Sequence, residues 1–365
     1  MKKKILFTTY SLDIGGIESA LINMLKMFDY NKYDVTLLLE KKEGIFLDDV
    51  PKEVKIEEYR ISDNKNPIIR KIKNRLKLIK WIVKNHNKYD FAGCFATYSI
   101  PGTILSRYAS KHNALWIHSN YYYVYHENVQ KMKNFFTERK TEKFENLVFV
   151  SNEAKEDFFK VLPNIKSNAI VLNNILDDKK IEEKSDELIE EKELVKENKT
   201  IFTFVGRLEE ESKRLTRLFE SFKLFLDNHD AVLWIIGDGP SKKDYEEKVK
   251  ELKLSKNVLF LGRKKNPYPY IKASDLIVLT SDYEGFPVVC VESMILKRPF
   301  LSTISISDPY IKLSDYGRIV DKDVIKIKEE LDKFVNGENF IKKEFSYYKY
   351  QKQLKKDLIT LIEGK

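Results

Sequence analysis

The chain has 365 residues, of which 42% are hydrophobic and 33% are charged, and its net charge is +9. This length and composition predict two globular domains and exclude a disordered or fibrous protein, while so mild a charge excess does not by itself indicate a nucleic-acid binder. Two cysteines, Cys94 and Cys290, exclude a disulfide framework and a Cys-rich zinc site and favour a reducing cytosol.

Short apolar runs alternate with amphipathic stretches in the first half of the chain. Buried strands are predicted at 4–9, 34–40, 90–96, 114–119, 147–151 and 169–172. Helices are predicted near 17–28, 67–87, 101–112, 128–145 and 152–160. This alternation predicts an α/β domain over residues 1–176, with a parallel sheet covered by helices on both faces. The N-terminal apolar run is too short for a signal peptide and fits a first strand, and no run of about 18 apolar residues predicts a membrane span.

The second half repeats the pattern after an acidic stretch at 177–199, which reads as a charged, solvated linker. Strands are predicted at 200–206, 231–237, 257–262, 275–280 and 299–302, and helices at 214–228, 241–253 and 287–297. This predicts a second doubly wound domain over 200–339, followed by a helix within 340–365. Ligands of such sheets bind at the carboxyl ends of the strands, so a cleft between the two domains is the expected site.

The first motif is GGIES at 15–19, between the first strand and the first helix. The two glycines, Gly15 and Gly16, permit a tight turn that brings helix amides close to a phosphate. The pattern is not G-x-G-x-x-G, so nicotinamide binding is not indicated. A plain strand-to-helix turn is the alternative.

The second motif is GRLEEESK at 206–213, directly after a predicted strand. Arg207 and Lys213 could point two cations at one place and neutralise a diphosphate, since charge-assisted hydrogen bonds are strong. The alternative is an exposed pair of cations bound to Glu209, Glu210 or Glu211.

The third motif is DYEGFPVVCVESM at 282–294. The loop through Gly285, Phe286 and Pro287 leads into a helix whose first amides, those of Val288 and Val289, are expected to be free donors for an anion. Glu284 before the helix and Glu292 within it could accept hydrogen bonds from sugar hydroxyls. A buried strand–helix corner would explain the valines but not the two glutamates.

Together these blocks resemble a known family. GGIES, WIHS, VSN, GRL with its lysine, GDGP, FLGR and YEGFPVVCVES occur in the order typical of retaining glycosyltransferases of family 4, over residues 5–320. The resemblance implies the GT-B fold, with two Rossmann-like domains facing across a cleft and a C-terminal helix, within 340–365, that returns to the first domain. It also implies an N-terminal acceptor domain and a C-terminal donor domain.

The resemblance also implies roles for individual residues. Arg207 and Lys213 would hold the donor's diphosphate, with the amide of Gly16 meeting it from the first domain. Glu284 would contact the transferred sugar and Glu292 the ribose hydroxyls. The remaining implied positions are the loop Gly285, Phe286, Pro287, Val288 and Val289, the start of the nucleobase pocket at Gly262 and Arg263, and His118 near the sugar and the acceptor.

The implied reaction transfers a sugar from a nucleotide donor, UDP by family frequency, without a metal or other cofactor. In this reaction the leaving phosphate helps to deprotonate the acceptor, so no protein base is required. The catalytic candidates are Glu284, His118, Arg207 and Lys213. The chain departs from the family at Arg214, where a glycine is usual, and at Lys297-Arg298. A nucleotide-sugar epimerase or phosphorylase of the same fold, or an inactive partner subunit, is the alternative.

A D-x-D at Asp321 and Asp323 is interpreted as a helix cap rather than a metal site. The tyrosines at 121–125, next to His118, could stack on a sugar or pack in the core, and the sequence does not say which.

The charge excess is local, because residues 51–150 hold 19 basic and 9 acidic side chains, a net of +10. Most of it belongs to a helix over 68–84. Its apolar positions, expected to pack on the sheet, are Ile68, Ile72, Leu76, Ile79 and Val83. Its cations, Arg70, Lys73, Lys77, Lys80 and Lys84, cover the rest. An anionic membrane surface is the predicted partner, with a saccharide or lipid-linked acceptor and a cytoplasmic or peripheral membrane location, and nucleic acid is not.

Overall fold

The structure is a computed structural model that describes residues 1–13, 15–59, 61–191 and 199–365. It divides into two compact units. The first comprises Met1–Leu176 and Gln351–Lys365, and the second comprises Asp177–Tyr350. Both are built on all-parallel sheets, as the alternating pattern predicts.

The first unit contains a seven-stranded sheet in the order β3-β2-β1-β4-β5-β6-β7. Its strands are β1 Lys3–Thr9, β2 Tyr33–Leu39, β3 Lys55–Glu58, β4 Phe91–Cys94, β5 Asn113–Ile117, β6 Asn146–Phe149 and β7 Asn168–Val171. Its helices are α1 Gly16–Leu25, α2 Pro67–Asn85, α3 Ile100–Ala109, α4 Tyr121–Val124, α5 Val129–Glu138 and α6 Asn152–Val161. The central strands are buried on both faces, which explains their continuous apolar runs.

The second unit contains a six-stranded sheet in the order β10-β9-β8-β11-β12-β13. Its strands are β8 Thr200–Val205, β9 Ala231–Ile236, β10 Val258–Gly262, β11 Leu276–Leu279, β12 Phe300–Ser302 and β13 Arg318–Ile319. Its helices are α7 Asp178–Ser185, α8 Glu210–Lys213, α9 Leu215–Phe225, α10 Lys242–Glu251, α11 Tyr268–Ala273, α12 Val288–Ile295 and α13 Val324–Val335. The strand order reverses between β8 and β11, so this is the topological switch point of the sheet.

The apolar stripe of α2 does not pack on the sheet, contrary to the sequence expectation. Its five side chains, Ile68, Ile72, Leu76, Ile79 and Val83, are between 50% and 77% exposed. The opposite face packs instead. Leu78 and Trp81 contact an apolar cluster of the first unit, and the Tyr59 hydroxyl donates to the Asn74 carbonyl oxygen at 3.3 Å. Amphipathic spacing shows that a helix has an apolar face, but it does not show which neighbour that face contacts.

The described part of the predicted linker contains a helix that packs in part, while most of its acidic side chains are exposed. It forms α7, whose Ile181 is buried, and belongs to the second unit. Its acidic side chains meet cations and donors around α11. Lys264 binds Glu190 at 3.0 Å and also Glu191, and Asn266 donates to Glu187 at 2.7 Å. Some of the charges that suggested a linker therefore form long-range pairs. Residues 192–198 of the predicted linker lie outside the described residues.

The last helix, α14, spans Tyr347–Glu363, a later start than the predicted 340. Residues 340–350 belong to the second unit, and Gln351–Lys365 belong to the first. Leu354, Leu358 and Ile362 are buried there. The His112 ring contacts the Leu361 carbonyl oxygen through Nε2 at 2.7 Å, and the Tyr33 hydroxyl donates to Glu363 at 2.8 Å.

None of the helices in the described ranges combines the length and the apolar character that crossing a bilayer requires.

Candidate functional site

Two loops meet at the switch point of the second unit. One follows β8 and carries Arg207 and Lys213, and the other follows β11 and carries Glu284. Because β8 and β11 are adjacent and parallel, their carboxyl ends lie at the same edge of the sheet. The fold therefore brings together the second and third motifs, which are about seventy residues apart in sequence.

The centre of this edge is an ion pair between Lys213 and Glu284. Lys213 Nζ lies 2.6 Å from Glu284 Oε1, and the two side chains are only 18% and 12% exposed. Ser281 Oγ donates to the same carboxylate oxygen at 2.6 Å. An ammonium group has three donors, so Lys213 can bind Glu284 and further oxygen atoms at the same time. The alternative interpretation paired Lys213 with a glutamate of its own loop, but the structure pairs it with Glu284 across the two motifs.

The Arg207 side chain is more exposed than that of Lys213. Its side chain is 67% exposed and lies 3.8 Å from Glu209, a loose ion pair. The backbone around it is closely packed, since a Cβ on Gly237 would lie 1.8 Å from the Gly206 carbonyl oxygen and one on Gly239 would lie 2.3 Å from that of Leu208. The glycines of GDGP are therefore required where the β8 and β9 loops cross.

Arg214 occupies the position where the resembling family has glycine. Its φ is +52°, a left-handed conformation that glycine adopts at lower cost. Its guanidinium binds Asp282, and Arg217 Nη2 binds the same carboxylate at 2.7 Å. The arginines hold the pKa of Asp282 below its usual range, against the opposing effect of burial. This clamp, which joins the two loops, was not predicted. Its only sequence signal is the acidic residue two positions before Glu284.

The loop into α12 corrects one expectation. The Val288 amide is not free, because it donates to the Phe286 carbonyl oxygen at 2.9 Å. Pro287, at φ −78° and ψ 78°, has the geometry of an inverse γ-turn, which forms this local bond. Phe286, Pro287 and Val289 are buried, and Gly285 lies between them and Glu284. The loop supports the site mainly through its backbone.

Glu292 lies about one turn into α12 and next to Tyr268. Burial raises the pKa of the Glu292 carboxyl from 4.5 to about 7, and a hydrogen bond from the Tyr268 hydroxyl opposes this shift. The pKa of Tyr268 is raised as well, first by burial and then by Glu292. Tyr268 was not among the predicted residues. It opens α11, a short helix that the sequence pattern did not reveal.

Gly262 ends β10, at the same edge of the sheet, and Arg263 follows it. Gly262 has φ +69° and open space around it, and its carbonyl oxygen accepts from the Gly237 amide at 2.9 Å. Arg263 is exposed, whereas the next residue, Lys264, is bound to the acidic stretch after α7.

The other two predicted residues lie in the first unit. Gly16 begins α1, is exposed, and has no atom near the position of a Cβ. His118 follows β5 and is buried, with its ring 4.4 Å from that of Phe95. Burial lowers the pKa of His118 to about 4, more than the Phe95 backbone and the Asn174 side chain raise it. The His118 ring is therefore uncharged near pH 7.

The tyrosines after His118 pack for the most part. Tyr121, Tyr122 and Tyr125 contact the apolar cluster around Phe136 and Phe158. Tyr121 stacks on Phe135 at a centroid distance of 4.7 Å. Three of the candidates for sugar stacking are thus used in the core of the first unit.

The D-x-D is a helix cap, as predicted. Asp323 Oδ1 accepts from the amides of Ile325 at 2.9 Å and Lys326 at 3.0 Å, which fixes the start of α13. Within the described residues, no group of three or more His, Cys, Asp and Glu side chains is arranged to hold a metal ion.

A cavity of about 470 Å³ lies elsewhere in the second unit. Its walls come from α7, the end of α12 and residues 341–348, and none of the predicted site residues lines it. It is therefore separate from the edge formed by the β8 and β11 loops.

The architecture is that of the GT-B glycosyltransferases. The structure of Anabaena Alr3699/HepE in complex with UDP-glucose is similar with a TM-score of 0.74, at 15% identity, over 98% of this chain and 99% of that one. At this identity the likeness establishes the fold. It covers both units.

Sequence comparison finds similarity to known glycosyltransferases. Residues 185–354 match the family described as Glycosyl transferases group 1. An uncharacterized glycosyltransferase of Methanocaldococcus jannaschii, MJ1059, is 28% identical over 57% of this chain, a match that spans about half (52%) of that protein. The UDP-Gal:alpha-D-GlcNAc-diphosphoundecaprenol alpha-1,3-galactosyltransferase of Escherichia coli is 26% identical over 90% of this chain and 92% of that protein. The family match covers most of the second unit, Asp177–Tyr350.

Proposed function

We propose that the protein is a retaining glycosyltransferase of family 4. Its donor is a nucleoside diphosphate sugar, a UDP-sugar by preference, and its acceptor is a saccharide or a lipid-linked saccharide in surface polysaccharide or glycolipid synthesis. The observation that carries this proposal is the Lys213–Glu284 pair at the switch point of the second unit. The names of the relatives support it, since the E. coli protein is named for a UDP-Gal donor and a diphosphoundecaprenol acceptor.

The chemistry concerns the departing diphosphate. Lys213, held in place by Glu284, and the exposed side chain of Arg207 supply positive charge at the carboxyl end of β8. Preorganised donors of this kind stabilise charge that develops in the transition state. Glu284 contacts the transferred sugar, and the leaving phosphate assists deprotonation of the acceptor.

The other residues orient the substrates in this proposal. Glu292, supported by Tyr268, accepts hydrogen bonds from the ribose hydroxyls. Gly262 and Arg263 border the nucleobase, and the backbone of 285–289 lies under the sugar and the phosphates. In the first unit, Gly16 offers an amide to the diphosphate, and neutral His118 hydrogen bonds near the sugar and the acceptor.

The first test is nucleotide binding followed by product analysis. We expect UDP to raise the melting temperature more than GDP or ADP, and incubation with UDP-sugars and a lipid-linked acceptor to give a product heavier by one sugar. NMR of the new linkage reports whether the anomeric configuration is retained. The absence of a shift with every nucleotide would favour an inactive partner subunit.

The second test is the substitution Lys213→Ala. We expect turnover to fall by the equivalent of about 2–4 kcal/mol of barrier, as when an oxyanion donor is lost. Lys243→Ala, at an exposed position of α10, is the matched control and should leave turnover unchanged. Near-normal turnover of a folded Lys213→Ala protein would remove the diphosphate assignment.

A further inference from the structure

The surface of α2 is unusual for a helix that packs on a sheet. Five apolar side chains form a stripe that faces away from the first unit: Ile68, Ile72, Leu76, Ile79 and Val83. No residue of this helix is fully buried. Exposed apolar side chains are usually scattered singly over a protein surface. A contiguous stripe of five such side chains therefore indicates an interaction surface.

The charges around the stripe identify the partner. The helix Pro67–Asn85 contains seven Lys and Arg residues, all exposed, and no Asp or Glu. With 3.6 residues per turn, Lys73, Lys80 and Lys84 lie along one side of the stripe, and Lys71 and Arg75 along the other. An apolar stripe between two rows of cations matches a lipid bilayer with anionic headgroups, where apolar groups enter the acyl boundary and cations stay among the phosphates.

We propose that α2 lies in the plane of an anionic membrane and inserts its apolar stripe into the headgroup–acyl boundary. The opposite face, with Leu78 and Trp81, stays anchored to the first unit. The surface thus combines two contributions to binding. Salt weakens the electrostatic attraction, but it does not weaken the insertion of the apolar stripe. This inference rests on the proposed function and deepens it, because a protein bound to the membrane in this way meets lipid-linked acceptors there.

Vesicle binding of matched variants tests the stripe. We expect the wild-type chain to bind phosphatidylcholine vesicles that contain phosphatidylglycerol. The double variant Ile72→Asn, Leu76→Asn should lose at least about tenfold in partition coefficient. Ile325→Asn, at an exposed isoleucine of α13, should bind as the wild type does. Equal binding by the stripe variant, or no wild-type binding at low salt, would overturn the proposal.

A second pair of double variants tests the contribution of the cations to membrane binding. Lys73→Gln with Lys80→Gln should weaken binding about tenfold at low salt, whereas Lys243→Gln with Lys250→Gln, the same change of charge on exposed positions of α10, should not. Binding of the wild type should fall with salt but keep a fraction that the stripe variant lacks. Binding that salt abolishes completely would show adsorption without insertion.

A tryptophan at the stripe reports insertion directly. Ile79→Trp should show a blue-shifted emission with vesicles and quenching by brominated lipids, and Ile325→Trp should show neither. Analytical sedimentation of the wild type and the stripe variant tests for a protein partner instead. A dimeric wild type and a monomeric stripe variant would overturn the lipid assignment.

The UDP thermal shift of the same variants separates the two proposals. Vesicle binding without a UDP shift would contradict only the proposed reaction, and a UDP shift without vesicle binding would contradict only the membrane surface.

Discussion

At the scale of single residues, the candidate site depends on carboxylates whose surroundings differ. Glu284 forms an ion pair with Lys213 at 2.6 Å and accepts a hydrogen bond from the Ser281 hydroxyl. Glu292 has Tyr268 as its described partner, so burial dominates and its pKa rises to about 7. The surroundings of these two glutamates, which belong to one motif, therefore suit them to different roles. One keeps a cation in position, and the other is a hydrogen-bonding group that can change its protonation state near neutral pH.

The raised pKa of Glu292 predicts a pH dependence of stability. The folded state holds the proton more tightly than the unfolded state, so the stabilisation is fully present below about pH 4.5 and is lost as the pH rises to about 7. Relative to Glu292→Gln, the wild type should therefore lose about 2–3 kcal/mol of unfolding free energy across this window. Chemical denaturation at a series of pH values measures it.

The control for this prediction is Glu247→Gln, which changes an exposed carboxylate of α10 and should follow the wild-type profile. Parallel profiles for Glu292→Gln and the wild type would mean that the carboxyl at 292 titrates normally.

At the scale of elements, sequence patterns predicted what is local and missed what is long-range. The buried strands and the loops after β8 and β11 follow from apolar runs and from Gly and Pro positions. The short strand β3 is partly exposed and carries no such run. The orientation of α2, the packing of α7 on the α11 region and the Arg214–Asp282 clamp depend on partners far away in the chain, which periodicity does not encode.

The cap of α13 gives a prediction at this scale. Asp323→Ala removes the acceptor of two helix amides and should lower the unfolding free energy by about 1 kcal/mol. Asp321→Ala breaks only an exposed ion pair with Lys326 and should change it by less than about 0.5 kcal/mol. Neither variant should lose turnover. A joint loss of activity that Mn²⁺ restores would instead identify the D-x-D as a metal site.

At the scale of the whole molecule, the last residues of the chain complete the unit formed by the first. The sequence indicates a helix near the C-terminus through its Leu and Tyr spacing, but only the three-dimensional contacts assign Gln351–Lys365 to the first unit. His112 and Tyr33 hold the end of α14 there. The first unit therefore cannot reach its full stability until the second unit has been synthesised.

Leu358→Ala tests this dependence. Leu358 is fully buried in the first unit, so the cavity should cost about 2–5 kcal/mol there, although the residue lies near the end of the chain. Hydrogen exchange followed by mass spectrometry should show faster exchange in β1, β4 and β5, with little change in β8, β9 and β11. Lys356→Ala, exposed on the same helix, is the control. Equal acceleration in both units would mean that they unfold as one body, and no acceleration in the first would show that α14 adds nothing to its stability.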